Sequence, residues 1–194
     1  MPLYDTLIRA DFLLAVGLLV LVPLALLLAS LRQPALRSQL LAYWRASALL
    51  GITVYLWIGE ARIGFATGYA ARALLPVALW WGDALVIPRG RPSTTSWQAR
   101  AFRRWRLVAT VYSLAGLVYM LPLLPCLWGG SEPLCRAWYL PPQEYAQLLH
   151  PYTPWSQLAT YGRAALWIYL GYAAASAYRL WSAPPSDPPG RKSQ

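Results

Sequence analysis

The sequence predicts an all-α polytopic bundle of about five transmembrane helices with short interfacial helices. Three observations predict it. The chain of 194 residues is 58% hydrophobic and only 12% charged, more apolar surface than one soluble core of that size hides. Its apolar runs have membrane length and are separated by short arginine-bearing segments. Tryptophan (11) and tyrosine (13) far outnumber phenylalanine (3), as suits amphipathic rings that settle at membrane boundaries.

Phe12 to Leu31 is free of charge and long enough for one helix through roughly 30 Å of hydrocarbon. A cleaved signal peptide would begin with cations, whereas Asp5 and Asp11 stand here against Arg9, so this span is expected to stay. The second span, residues 40–59, is broken only by Arg45, which can snorkel to headgroups beside Tyr43 and Trp44. Glu60, Ala61 and Arg62 alone separate it from the third, residues 63–82, so the two form a tight antiparallel hairpin. A fourth runs over 107–124 and a fifth over 164–180. Residues 1–182 read as one transmembrane domain, and the proline- and serine-rich tail 183–194 as disordered and cytoplasmic.

The cations orient this layout. Arg32, Arg37 and Arg45, the arginines from Arg89 to Arg106, and Arg179, Arg191 and Lys192 fall on one side. Arg9, Arg62, Arg136 and Arg163 fall on the other. The positive-inside rule then sets the amino terminus outside and the carboxyl terminus in the cytoplasm.

Arg72 falls at the midpoint of the third span, where an arginine costs about 2.5 to 3.5 kcal/mol on insertion scales. It needs acceptors, and the candidates are Glu60, Tyr55, Tyr112, Tyr119 and carbonyls freed by Pro76. Two readings stand: a structural charge clamp, or an anion or lipid-headgroup site. Small residues recur at four-residue spacing in Gly64 and Gly68, Ala109 and Ser113, and Gly171 and Ala175, which lets helices approach within the monomer or against another protein.

Ser93 to Arg106 sets Trp97, Ala101 and Trp105 on one stripe, with arginines beside it. The expected structure is a helix lying flat on the cytoplasmic leaflet, with Arg100, Arg103, Arg104 and Arg106 on anionic headgroups. A basic loop between spans is an orientation signal, so no nucleic-acid partner is expected despite a net charge of +10. Cys126 and Cys135 share the outer segment with Gly129, Gly130 and Pro133, and an oxidising side favours a disulfide. A Cys–His nucleophilic pair is the alternative. Pro142 and Pro151 bracket a short helix with Tyr145, Leu148 and Leu149 on its apolar side, resting on the outer membrane surface. His150 is the only histidine, which leaves too few ligands for a metal or pigment site.

The runs YWRASALLGITVYLWIG (Tyr43 to Gly59), ARALLPVALWWGDAL (Ala71 to Leu85), WRLVATVYS (Trp105 to Ser113) and CRAWYLPP (Cys135 to Pro142) carry a resemblance. They resemble an uncharacterised cyanobacterial family of multi-pass membrane proteins, a domain of unknown function, over roughly Asp11 to Leu180. The resemblance implies a thylakoid or plasma membrane and an outer loop in the lumen or periplasm. It brings no catalytic residues.

No phosphate loop, acid pair, nucleophile triad or cofactor motif is legible. The expectation is a non-catalytic membrane protein, an accessory, scaffold or assembly factor whose partners are the bilayer and other integral proteins. The alternative is a small transporter or lipid-acting enzyme using Arg72 with Glu60, Arg62 or Asp83.

Overall fold

The computed structural model describes residues 2–82, 96–130 and 132–182. The expected disordered tail, the loop with Asp83, Arg89 and Arg91, and the capping residues from Ser93 to Thr95 lie outside the described residues. Among the described residues eight α-helices follow in order: α1 (Pro2–Val16), α2 (Val22–Ala29), α3 (Pro34–Ile58), α4 (Ile63–Trp81), α5 (Trp97–Tyr119), α6 (Glu132–Ala137), α7 (Leu140–Leu149) and α8 (Trp155–Ser182).

α1 and α2 are one rod joined by a π-helical turn, Gly17–Leu21. Pro23 explains the turn, because it has no N–H for the Leu19 carbonyl four residues back. The Val22 N–H reaches instead to the Gly17 carbonyl, away from the Leu18 carbonyl that is its ordinary α-helical partner. Two side chains from other helices bond carbonyls of this turn. Tyr43 Oη donates to the Leu19 carbonyl, and Trp105 Nε1 donates to the Leu18 carbonyl at 2.8 Å. The two rings meet edge to face, with centroids 4.9 Å apart, in a core with Leu26, Leu40, Leu75 and Phe102.

α3 and α4 form the expected tight hairpin. Glu60 turns the chain at φ +53, and the Ala61 N–H closes on the Leu56 carbonyl at 2.9 Å. Thr53 donates to Thr67 across the pair at 2.8 Å, with Gly64 and Gly68 packed inward against Trp57.

The flat amphipathic helix expected before the fourth span is not separate from it. Ser96 caps a single helix by accepting from the Ala99 N–H, and that helix runs unbroken through Tyr119. Trp105 is buried in the bundle, so the stripe read as a membrane-surface face is in part a core face. The fourth span also stops short of Leu124. After Tyr119 the chain bends by 56° into a 3-10 segment, Leu121–Trp128, which opens with Pro122.

α6 and α7 lie over this end of the bundle. Trp138 packs on Trp57 and Tyr139 on Phe65, with centroids 5.6 and 5.5 Å apart. α7 starts two residues before Pro142 and buries Pro141, Pro142 and Ala146, while Leu148 and Leu149 face outward. The apolar side expected to rest on a membrane surface is thus the exposed one.

α8 begins nine residues before the expected fifth span and lies antiparallel along α3. Ala159 meets Gly59 at one end, Gly162 meets Tyr55 one turn further along, and Arg179 shares a crevice with Arg45 at the other. Its 28 residues suffice in length, but tyrosine, tryptophan, Arg163 and Arg179 keep its composition polar. By length and composition, three helices can cross a membrane: Tyr4–Ala29, Pro34–Ile58 and Ile63–Trp81. The bent α5 pair makes a fourth if it counts as one span.

The carbonyl caps yield a test. Tyr43→Phe leaves the Leu19 carbonyl unpaired in an apolar core, a cost of about 1–3 kcal/mol. Thermal unfolding in detergent should show a clearly lower midpoint. An unchanged midpoint would mean that the hydroxyl contributes nothing.

Candidate functional site: a buried ion pair beside an apolar cavity

α4 starts at the end of the bundle that carries α6 and α7, and a helical side chain leans toward its own amino terminus. Arg72 therefore reaches toward that end. Its Nη2 meets Asp11 Oδ2 of α1 at 2.5 Å, with the two side chains only 6% and 14% exposed. Tyr112 of α5 shares its one O–H between Asp11 Oδ1 at 2.7 Å and the Asp11 backbone carbonyl at 2.8 Å. The Arg72 guanidinium also lies 5.3 Å from the Tyr112 ring centroid. One carboxylate thus joins three helices.

Gly116 makes room for this. A methyl built on it would lie 1.5 Å from Arg72 Nη1, so no larger residue of α5 fits against the guanidinium. Nη1 itself has no hydrogen-bond partner among the described residues.

Of the acceptors expected for Arg72, Tyr112 is close, and Glu60 is not one of them. Glu60 sits in the α3–α4 turn and accepts from Gln143 Nε2 at 3.1 Å. Tyr55 bonds His150 at 3.0 Å. Asp11 and Gly116 are the residues that sequence reasoning missed. Asp11 read as a flank of the first span, yet it was the carboxylate nearest an apolar run. Gly116 continues the Ala109 and Ser113 stripe one turn further.

Arg72 and Asp11 line a cavity of about 270 Å³ between α1, α3, α4 and α7. Its remaining walls are almost wholly apolar, including Ile8, Phe12, Val16, Val54 and Leu149. A second polar recess holds Glu60, Arg62 and Arg136 beside the cysteines. Cys126 and Cys135 form the expected disulfide, with Cα atoms 5.7 Å apart, which removes both from any thiol chemistry. Gly129, at φ +90, turns the chain between them and packs under Arg62.

The four arginines expected at headgroups lie along the first turns of α5. Arg100, Arg103 and Arg104 are exposed, while Arg106 covers the Trp80 ring with its guanidinium 4.2 Å from the centroid. Among the described residues no three His, Cys, Asp or Glu side chains gather as metal ligands would.

The buried pair predicts a charge cycle. Removing one partner leaves an uncompensated charge and costs about 3–5 kcal/mol, whereas replacing both with apolar residues is close to neutral. Arg72→Leu and Asp11→Leu should each lower detergent stability, and the double variant should recover most of it. Additive losses would show that the two side chains are not coupled.

No curated protein and no solved structure matches the chain. A match to the family described as "Protein of unknown function (DUF3177)" covers residues 5–181, nearly the whole chain. The protein is therefore a member of the DUF3177 family.

Proposed function

We propose that this is a non-catalytic integral membrane protein of five spans that binds other integral proteins through the outward face of α8. The observation that carries the reading is the Gly171 and Ala175 stripe. The other two small-residue stripes face inward, but a methyl added at Gly171 would touch nothing within 4 Å. Around it stand Trp167 (75% exposed), Tyr178 (72%) and Trp181 (91%), all on one side of the helix. Small residues with aromatic anchors on one stripe fit close docking of a second helix.

Two further observations support α8 as the fifth span. It runs along α3 from Gly59 to Arg45, and it returns the chain to the end that holds Arg45 and Arg179. In this reading the disulfide end faces outside or lumen, and the arginine-rich end faces the cytoplasm. The resemblance of its sequence runs supports a cyanobacterial thylakoid or plasma membrane, with a scaffold or assembly role near photosynthetic complexes. A second reading, a small transporter or lipid-acting enzyme, draws on the cavity that reaches Arg72. Its apolar walls suit a lipophile and not a polar solute.

Affinity isolation under gentle detergents should recover a larger assembly. Gly171→Phe with Ala175→Phe should lower that recovery several-fold without shifting the unfolding midpoint. A lone monomer in several mild detergents overturns the docking reading. Reporter tags after Gln194 and near Gly130 should report opposite compartments, and a shared compartment removes the fifth span.

A further inference from the structure

At the arginine-rich end, α3, α4 and α8 border a separate cavity, open to the outside, of about 480 Å³, within the range of small-molecule sites. Small side chains leave it open: Ala42 and Ala46 from α3, Ala78 from α4 and Ala173 from α8. Leu74 and Val77 continue its apolar wall toward the middle of the bundle. Arg45 and Arg179, far apart in sequence, both line it, with Tyr172 and Ser176 alongside.

The helix directions aim the two arginines at one level. α3 starts at this end and α8 finishes here, and each side chain leans toward its own helix amino terminus. Arg45 therefore descends toward the rim while Arg179 rises into the cavity. Neither takes part in an ion pair among the described residues, whose two salt bridges are Arg9 with Glu144 and Arg72 with Asp11. Those carboxylates, like Glu60, belong to the opposite half of the bundle. Asp83 and Asp187 lie outside the described residues.

A pair of guanidiniums at the rim, with an apolar trough leading inward, matches a molecule with an anionic head and a hydrocarbon tail. We propose that this cavity binds one anionic phospholipid, its phosphate on Arg45 and Arg179 and one acyl chain along the alanine-lined trough. The lipid wedges between the hairpin and α8, on the face of α8 opposite Gly171. The inference rests on the chain crossing a bilayer, which the reporter tags test separately.

The test is native mass spectrometry of the full chain, taken from nanodiscs of phosphatidylcholine mixed with phosphatidylglycerol. Wild type should retain one phosphatidylglycerol in preference to phosphatidylcholine. Arg45→Gln with Arg179→Gln should weaken that preference about tenfold to thirtyfold, the effect of two cations at a membrane surface. Arg45→Lys with Arg179→Lys should keep most of it, and Arg136→Gln with Arg163→Gln, at exposed arginines of the opposite end, should change nothing. Ala173→Phe, which fills the trough and leaves both arginines, should also lose the lipid while the unfolding midpoint is held. Equal retention of the two lipids, an unaffected Arg45 and Arg179 Gln variant, or loss in the Arg136 and Arg163 variant overturns the proposal. Displacement by glycerol 3-phosphate would reveal a free-anion site and overturn the acyl chain.

Discussion

The Asp11 carboxylate bonded to Arg72 and Tyr112 is the contact on which the arrangement of the first helix depends. An arginine in the middle of an apolar helix must be neutralised, and in lipid the only acceptors are those the protein brings. That need draws α1 onto α4 and α5. α1 is otherwise held by contacts near its start: Tyr4 with Trp138, Arg9 with Glu144 and Phe12 with Tyr145. Between these points it stands off α3, and the space left is the cavity that Arg72 and Asp11 line. The Arg9–Glu144 pair is about half exposed and adds little, whereas Ile8 is buried in the core with Trp57 and Trp138.

The same rule explains the lower half of that rod. The turn before Pro23 presents two carbonyls in an apolar layer, and the bundle answers with Tyr43 from α3 and Trp105 from α5. Both are amphipathic residues whose rings pack while their polar tips bond. Asp11 and the π-helical turn therefore fix the same long helix at two heights, each through α5. At the end bearing the disulfide, the cross-link holds the 3-10 segment against α6, and Trp138 and Tyr139, in the turn between α6 and α7, close over Trp57 and Phe65.

α8 relates differently to the rest. Its contacts run along α3, at Gly59, at Tyr55 and around Leu49 and Ile52, and most of its other faces are exposed. A helix held on one side leaves two surfaces with separate uses. One carries Trp167, Gly171 and Tyr178, and the opposite one carries Tyr172, Ser176 and Arg179. Lipid in the cavity and a protein on the outer stripe would both supply the packing that this helix lacks within the monomer.

Much of the architecture was legible in the chain. Apolar run length, the Glu60 turn and the paired cysteines depend on local composition, and each has a direct physical reading. The need of Arg72 for a partner was equally plain, because burying a charge is costly whatever surrounds it. The identity of that partner was not. Asp11 lies 61 residues away, and only the packing of α1, α4 and α5 decides that it, and not the nearer Glu60, is within reach. The continuity of α5 was hidden because a basic start and an apolar finish resemble two elements, while a helix needs only an unbroken hydrogen-bond ladder and the Ser96 cap. Which glycine faces inward was likewise beyond the spacing alone: Gly68 packs against Trp57 and Gly171 faces open space, although both sit in four-residue stripes. The sequence by itself determined what must leave water and what must be paired. Tertiary structure decided the pairings, because a contact between helices is set by their relative position, which no single stretch of chain encodes.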